Sequence, residues 1–191
     1  MNVIKTDIED VLIIEPDVYK DDRGYFMESF DEAKFFKETG ISTRFIKDNE
    51  SMSSKGVLRG LHYQKPPYAQ AKLVRVVEGT VFDVAVDIRE GSSTFGKFVM
   101  VQLSDKNKRQ LYIPKGFAHG FIVTSEKAVF QYKVDNFYMP GFEDGIAWDD
   151  PDVDILWPMD SDEIILSEKD KNRLTLKEVE KVFKYEPVKQ E

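Results

Sequence analysis

The 191-residue sequence has no cysteine and only two histidines. Without cysteine there can be no disulfide framework, no thiolate metal site and no cysteine nucleophile. Basic residues are in deficit: 27 lysines and arginines stand against 35 aspartates and glutamates, a formal charge of −8. Such a chain lacks the basic footprint that nucleic acid or an anionic membrane requires, while a local basic pocket for one anionic ligand stays open. No apolar run approaches the ~18 residues of a membrane span. The start, Met1-Asn2-Val3-Ile4-Lys5-Thr6-Asp7, meets charge at once, unlike a secretory leader. These absences predict a cytoplasmic protein. With 11 glycines and 8 prolines the chain is neither collagenous nor of low complexity, and 41% apolar and 13% aromatic residues are enough to build a core. At roughly 150 residues per domain, the length predicts a single domain over residues 1–191, with a polar tail at 186–191 that frays.

What is present between residues 70 and 135 is period-two alternation of β-branched and aromatic residues. Lys72-Leu-Val-Arg-Val-Val77, a Glu78-Gly79 turn and the run Val81 to Ile88 predict a hairpin. In its second strand Phe82, Val84, Val86 and Ile88 share a core face. Val81, Asp83, Ala85 and Asp87 share the other, a mixed face suited to lining a polar cavity. Lys97 to Leu103, Arg109 to Ile113, Gly120 to Val123 and Ala128 to Val134 read as further strands, so the pattern predicts a β-sandwich or barrel. Helical signals are confined to Asp31 to Glu38 and to two capping-box patterns near the C-terminus, Ser167 to Asp170 and Thr175 to Glu178.

Histidine is the side chain best placed to exchange protons near neutral pH. His62 lies in Arg59-Gly-Leu-His-Tyr-Gln64 and His119 in Pro114-Lys-Gly-Phe-Ala-His-Gly-Phe121. The second segment resembles a cupin motif, which implies a small jelly-roll barrel. Metal-binding cupins carry His-x-His and a glutamate in their first motif, whereas here the segment reads His62-Tyr63-Gln64. At best two nitrogen ligands remain, fewer than typical catalytic zinc takes, so no metal is expected.

The ordered set Asp22-Arg23-Gly24-Tyr25-Phe26, Asn49-Glu50-Ser51, Gly56-Val-Leu-Arg-Gly-Leu-His-Tyr-Gln64, Lys72, Pro114 to Phe121, Tyr132-Lys133, Gly145-Ile-Ala-Trp-Asp-Asp-Pro151 and Leu166-Ser-Glu-Lys-Asp170 closely resembles the dTDP-4-dehydrorhamnose 3,5-epimerase family. The match runs over roughly residues 3 to 170. It implies an all-β jelly-roll barrel of cupin type with short peripheral helices. It also implies an isomerase of dTDP-L-rhamnose biosynthesis that acts on dTDP-4-dehydro-6-deoxy-D-glucose as a homodimer. Inverting a carbon beside a ketone needs only a base, an acid on the opposite face and a group that holds the enolate, so the resemblance implies no cofactor.

The resemblance assigns His62 as the base, Asp170 as the carboxylate that orients it, Lys72 as the cation facing the C4 oxygen and Tyr132 as the acid. It assigns nucleotide-sugar contacts to Arg23, Glu28, Lys47, Asn49, Arg59, His119, Tyr138, Glu143 and Lys169, with His119 near the sugar and partnered by Asp83. From the residues alone, Asp170 reads equally as part of a helix cap, Lys72 as an exposed strand end and Tyr132 as a core tyrosine beside Phe130 and Val134. Phe26, Phe30, Phe35 and Phe36 can serve a dimer interface or an internal core. The chain departs from the family pattern at Lys47-Asp48-Asn49-Glu50-Ser51, where Gln-Asp-Asn-His-Ser is common, and at Ala147, where arginine is frequent. An epimerase acting at one carbon only, a non-catalytic nucleotide-sugar-binding cupin and a metal-dependent cupin oxygenase are the competing readings.

Overall fold

Alternating apolar side chains leave strands with two usable faces, and this chain buries both. The computed structural model describes residues 1–186. In chain order the elements are β1 (Asn2–Lys5), β2 (Leu12–Glu15), β3 (Val18–Asp21), β4 (Gly24–Met27), α1 (Glu32–Thr39), β5 (Lys47–Ser54), β6 (Leu58–Gln64), β7 (Lys72–Glu78), β8 (Thr80–Asp87), β9 (Phe98–Ser104), β10 (Gln110–Ile113), β11 (Phe117–Val123), β12 (Lys127–Val134), β13 (Glu143–Gly145) and α2 (Glu168–Lys171). They form a six-stranded sheet in the order β1-β2-β10-β7-β12-β5 and a five-stranded sheet in the order β13-β6-β11-β8-β9, with β3 and β4 paired as a separate hairpin. All strand pairings within these sheets are antiparallel. The expected all-β jelly roll with short helices is what forms. The tail expected to fray lies, from residue 187 onward, outside the described residues.

The core between the sheets holds Val74, Val76, Phe130, Val81, Ala85, Phe117 and Phe121. Phe121 and Phe130 stack across it with centroids 4.1 Å apart, an arrangement that adds ~0.5–1.5 kcal/mol beyond area burial. The mixed face of β8 therefore points inward. Its other face, with Val84, Val86 and Ile88, is also buried, under Val153, Leu176, Val179 and Phe183. One of its two carboxylates, Asp83, meets His119 between the sheets. The other, Asp87, is held instead by Arg89, Ser92 and Thr94 at the strand end, away from the cavity.

Helix α1 starts where its sequence predicts, Asp31 accepting from the Lys34 N–H as N-cap, and ends on Gly40 in the left-handed region. The second C-terminal capping pattern does not become a helix. Glu178 reaches back to the N–H and hydroxyl of Thr175 at 2.9 and 2.7 Å, but only a turn follows, because Leu176 and Val179 are drawn into the core under β8. The strands before residue 70 are absent from the sequence-based expectation. β1 to β4 are four residues each, and β5 is a polar sheet edge whose composition reads as loop. The aromatics of the N-terminal third divide: Phe35 is buried and Phe30 packs beside it, while Phe26 and Phe36 are exposed.

Candidate active site

The two histidines lie directly opposite each other on β6 and β11. Their strands come unusually close: a Cβ on Gly60 would stand 2.5 Å from the Gly120 Cα. With φ +140°, Gly60 takes a backbone that side chains rarely adopt. The register shifts between His119 and Phe121, just where this pair meets, and a bulge of this kind re-aims neighbouring side chains. On the facing sheet, Lys72 pairs with Val134 and Tyr132 with Val74. Each sheet thus contributes one half of a common cavity of about 470 Å³, within the size range of small-ligand sites.

His62, Lys72, His119, Tyr132, Asp170, Arg59, Glu143 and Lys169 all line this cavity. His62 Nε2 lies 2.6 Å from Asp170 Oδ1, and the ring's Nδ1 has no hydrogen-bond partner among the described residues. The two residues are 108 apart in sequence, joined only by the fold. Asp170 fills both roles its sequence suggested. Its backbone N–H donates to Ser167 Oγ, capping α2, while its carboxylate serves His62. Burial works against the ionised Asp170, but His62, Ser167 and the Arg173 charge together outweigh it and hold the carboxyl below its usual range.

His119 is engaged at both nitrogens. Nε2 is 2.9 Å from Asp83 Oδ2, and Nδ1 is 3.4 Å from Lys72 Nζ. Burial pushes His119 below the ordinary imidazole value, against the pull of Asp83, so the ring is neutral at neutral pH. Burial likewise pushes Asp83 above the usual carboxylate value. Lys72 is not the exposed strand end of the alternative reading: desolvation lowers its ammonium to about 8, with Asp83 and Glu143 opposing the shift. Tyr132 packs on Phe130, centroids 6.1 Å apart, and burial pushes its phenol up while the Arg59 guanidinium opposes the rise. A tyrosine so placed stays protonated and can donate.

At the mouth, Glu143 accepts from Lys169 Nζ at 2.7 Å and from the Tyr138 hydroxyl. Burial tends to raise Glu143, but these bonds prevail and keep it ionised. Tyr138 does not line the cavity and reaches it through Glu143. Arg59 donates to Ser53 from the opposite rim. Four expected contacts lie elsewhere in the single chain. Arg23 is exposed in the β3–β4 turn with Asp21. Glu28 pairs with Lys34 beside a separate small cavity. Lys47 and Asn49 sit on edge strand β5, Asn49 opposite Tyr132, and neither lines the cavity. Sequence reasoning missed the apolar wall of Leu58, Phe121, Ile165 and Leu166. It also missed Arg173, which lies just past the end of α2 with Nε 3.9 Å from Asp170 Oδ1.

Comparisons with known proteins agree on one family. The family model for dTDP-4-dehydrorhamnose 3,5-epimerase matches residues 5–178. A dTDP-4-dehydrorhamnose 3,5-epimerase of Shigella flexneri is 59% identical over 172 residues, 90% of this chain and 94% of that protein. One from Methanothermobacter thermautotrophicus is 53% identical, with 92% and 94% covered. The solved dTDP-6-deoxy-D-glucose-3,5-epimerase of Legionella pneumophila, in complex with dTDP-4-keto-L-rhamnose, superposes with a TM-score of 0.93 at 49% identity over 97% of this chain and 98% of that one. A 3'-monoepimerase from Streptomyces bikiniensis in complex with dTDP-quinovose superposes at 0.85 with 34% identity, covering 91% and 87%. The chain belongs to the dTDP-4-dehydrorhamnose 3,5-epimerase family.

Proposed function

We propose that the chain epimerises dTDP-4-dehydro-6-deoxy-D-glucose at C3 and C5, giving dTDP-4-dehydro-L-rhamnose, with His62 as base and Tyr132 as acid. As a family member it is an isomerase that takes a dTDP-sugar. The observation that carries the mechanism is the placement of His62 and its Asp170 partner on one wall, with Lys72 and Tyr132 on the sheet opposite. C3 and C5 both flank the C4 ketone. The free Nδ1 of His62 takes the proton from one of them as the C–H electron pair moves into an enolate. Asp170 holds the resulting imidazolium. The Lys72 ammonium takes up the charge developing on the C4 oxygen, the stabilisation that removal of so weakly acidic a proton most needs. Tyr132 then returns a proton from the other face, inverting the carbon.

Arg59, Lys169, Glu143 and Tyr138 ring the mouth where a diphosphate and base leave the cavity, and a guanidinium fork suits paired phosphate oxygens. Lys47 and Asn49 extend the site along β5 from Ser51, which lines the cavity, while Arg23 and Glu28 reach the nucleotide from a second copy of the chain in a homodimer. That reading is supported by exposed Tyr19, Tyr25 and Phe26 on the β3–β4 hairpin, an apolar surface that a partner would cover. The protein works in the cytoplasm, where nucleotide sugars are made. No helix among the described residues is long and apolar enough to cross a membrane.

Proton NMR of the protein with dTDP-4-dehydro-6-deoxy-D-glucose in D2O, with and without a chelator, tests the reading. Chelator-insensitive loss of both the C3 and C5 proton signals is expected. Loss at one carbon alone would mean a single-site epimerase, and dTDP binding without exchange would mean a binding module.

A further inference from the structure

Arg173 is a charged side chain in a place where a charge is costly. Its side chain is only 9% exposed, and its Nε–H is buried with no hydrogen-bond partner among the described residues. Space for it is kept by Gly145, where a Cβ would stand 3.1 Å from Arg173 Nε and 3.2 Å from Cζ. Gly145 is the register partner of His62. The guanidinium faces three carboxylates: Glu143 at 3.4 Å, Asp144 at 3.7 Å and Asp170 at 3.9 Å. On Asp170 the nearest oxygen is Oδ1, the same atom that holds His62 Nε2. On Glu143 it is Oε1, the same atom that accepts from Lys169.

We infer that Arg173 is a positioning residue that sets the proton affinity of His62 through Asp170. This deepens the proposed mechanism and rests on its reading of His62 as the base. Three carboxylates gathered behind one imidazole would favour its protonated form, and a protonated ring cannot abstract a proton. A buried cation sharing Asp170 Oδ1 offsets that field. It helps to keep Asp170 ionised. The other charged and titratable groups around the pair are Tyr63 on β6, whose buried hydroxyl is pushed up by desolvation, Lys169 on α2, and Lys65 and Glu180 beside Asp144. Across the cavity stand Lys72 and His119. Arg173 is the cation among them that reaches both Asp170 and Glu143.

The test is a pH titration of the full chain's histidine rings by NMR, in the parent, Arg173→Met and Arg173→Lys. With two histidines in the chain, a His119→Asn variant assigns the His62 signal outright. The His62 midpoint should rise by about one pH unit in Arg173→Met and stay near the parent in Arg173→Lys. The acid limb of the kcat/KM profile should rise in parallel, with the plateau above it retained. A folded Arg173→Met protein with an unmoved His62 midpoint overturns the inference. So does a plateau lowered at every pH with the limb in place, which marks a purely structural side chain. If Arg173→Met does not fold, Arg173→Gln is titrated instead and must show the same rise. A midpoint that moves while the rate profile does not supports the charge coupling and removes His62 from the role of base.

Discussion

Two histidines face each other on neighbouring strands, each paired with an aspartate, and the two pairs differ in exposure and in the use of the second ring nitrogen. In the His62–Asp170 pair the ring is 31% exposed, and one nitrogen has no partner among the described residues. In the His119–Asp83 pair the ring is 8% exposed, the carboxylate is fully buried, and both ring nitrogens are engaged. A base needs a lone pair with nothing bound to it. The first pair has one, while the second spends its two nitrogens fixing Asp83 and Lys72. The lesson is that a histidine beside an aspartate says little about its task until the second nitrogen is accounted for.

Variants that interchange these environments break the comparison most sharply. Removing the free base, His62→Ala, should lower kcat by about 10³-fold or more with dTDP affinity unchanged. The same change at His119 should cost less, and steady-state kinetics beside dTDP calorimetry measures both. Lys72→Met removes the cation that the second pair holds in place. It should cost about 10²–10³-fold in kcat, and it should also abolish a pH dependence. The ammonium is the working form, and burial sets it at about 8, so on the alkaline side of its plateau the parent rate should fall as pH rises through that value. Lys72→Met should show no such limb in a pH–rate profile.

Tyr132→Phe probes the wall opposite His62. Product formation should fall by about 10²-fold, while deuterium continues to enter the substrate, since the base is untouched. Equal damage to both readouts would make Tyr132 a positioning residue. The smallest effect belongs to Asp83→Asn. Asp83 is the carboxylate that supports the Lys72 charge from within the second pair, so its loss should move the alkaline limb down by about one unit with little change in KM.

Much of this architecture was legible in the sequence. The alternation from residue 72 to 134 located the central strands, and the Asp31 cap located α1, because both signals are local. The polar edge strand β5 and the four-residue strands before it were not, since their pairing depends on partners distant in sequence. In the site, His62, Lys72, Tyr132, His119 and Asp170 could be named from a family resemblance, but their convergence could not. His62 and Asp170 are 108 residues apart, and the capping pattern around Asp170 offered a complete local explanation of it. The structure shows that the two uses of Asp170 engage different atoms. Arg23 and Glu28 illustrate the converse, because residues named for one site lie on a hairpin away from the chain's own cavity. Arg173 was invisible because a buried arginine reads, in sequence, like any solvated one.

The most direct measurement is hydrogen exchange at C3 and C5 of dTDP-4-dehydro-6-deoxy-D-glucose in D2O, compared across the parent, His62→Asn and His119→Asn. Both proton signals should vanish with the parent and, more slowly, with His119→Asn, and both should persist with His62→Asn. Exchange at the parental rate in His62→Asn, or its loss only in His119→Asn, would contradict the assignment of the free imidazole nitrogen as the base.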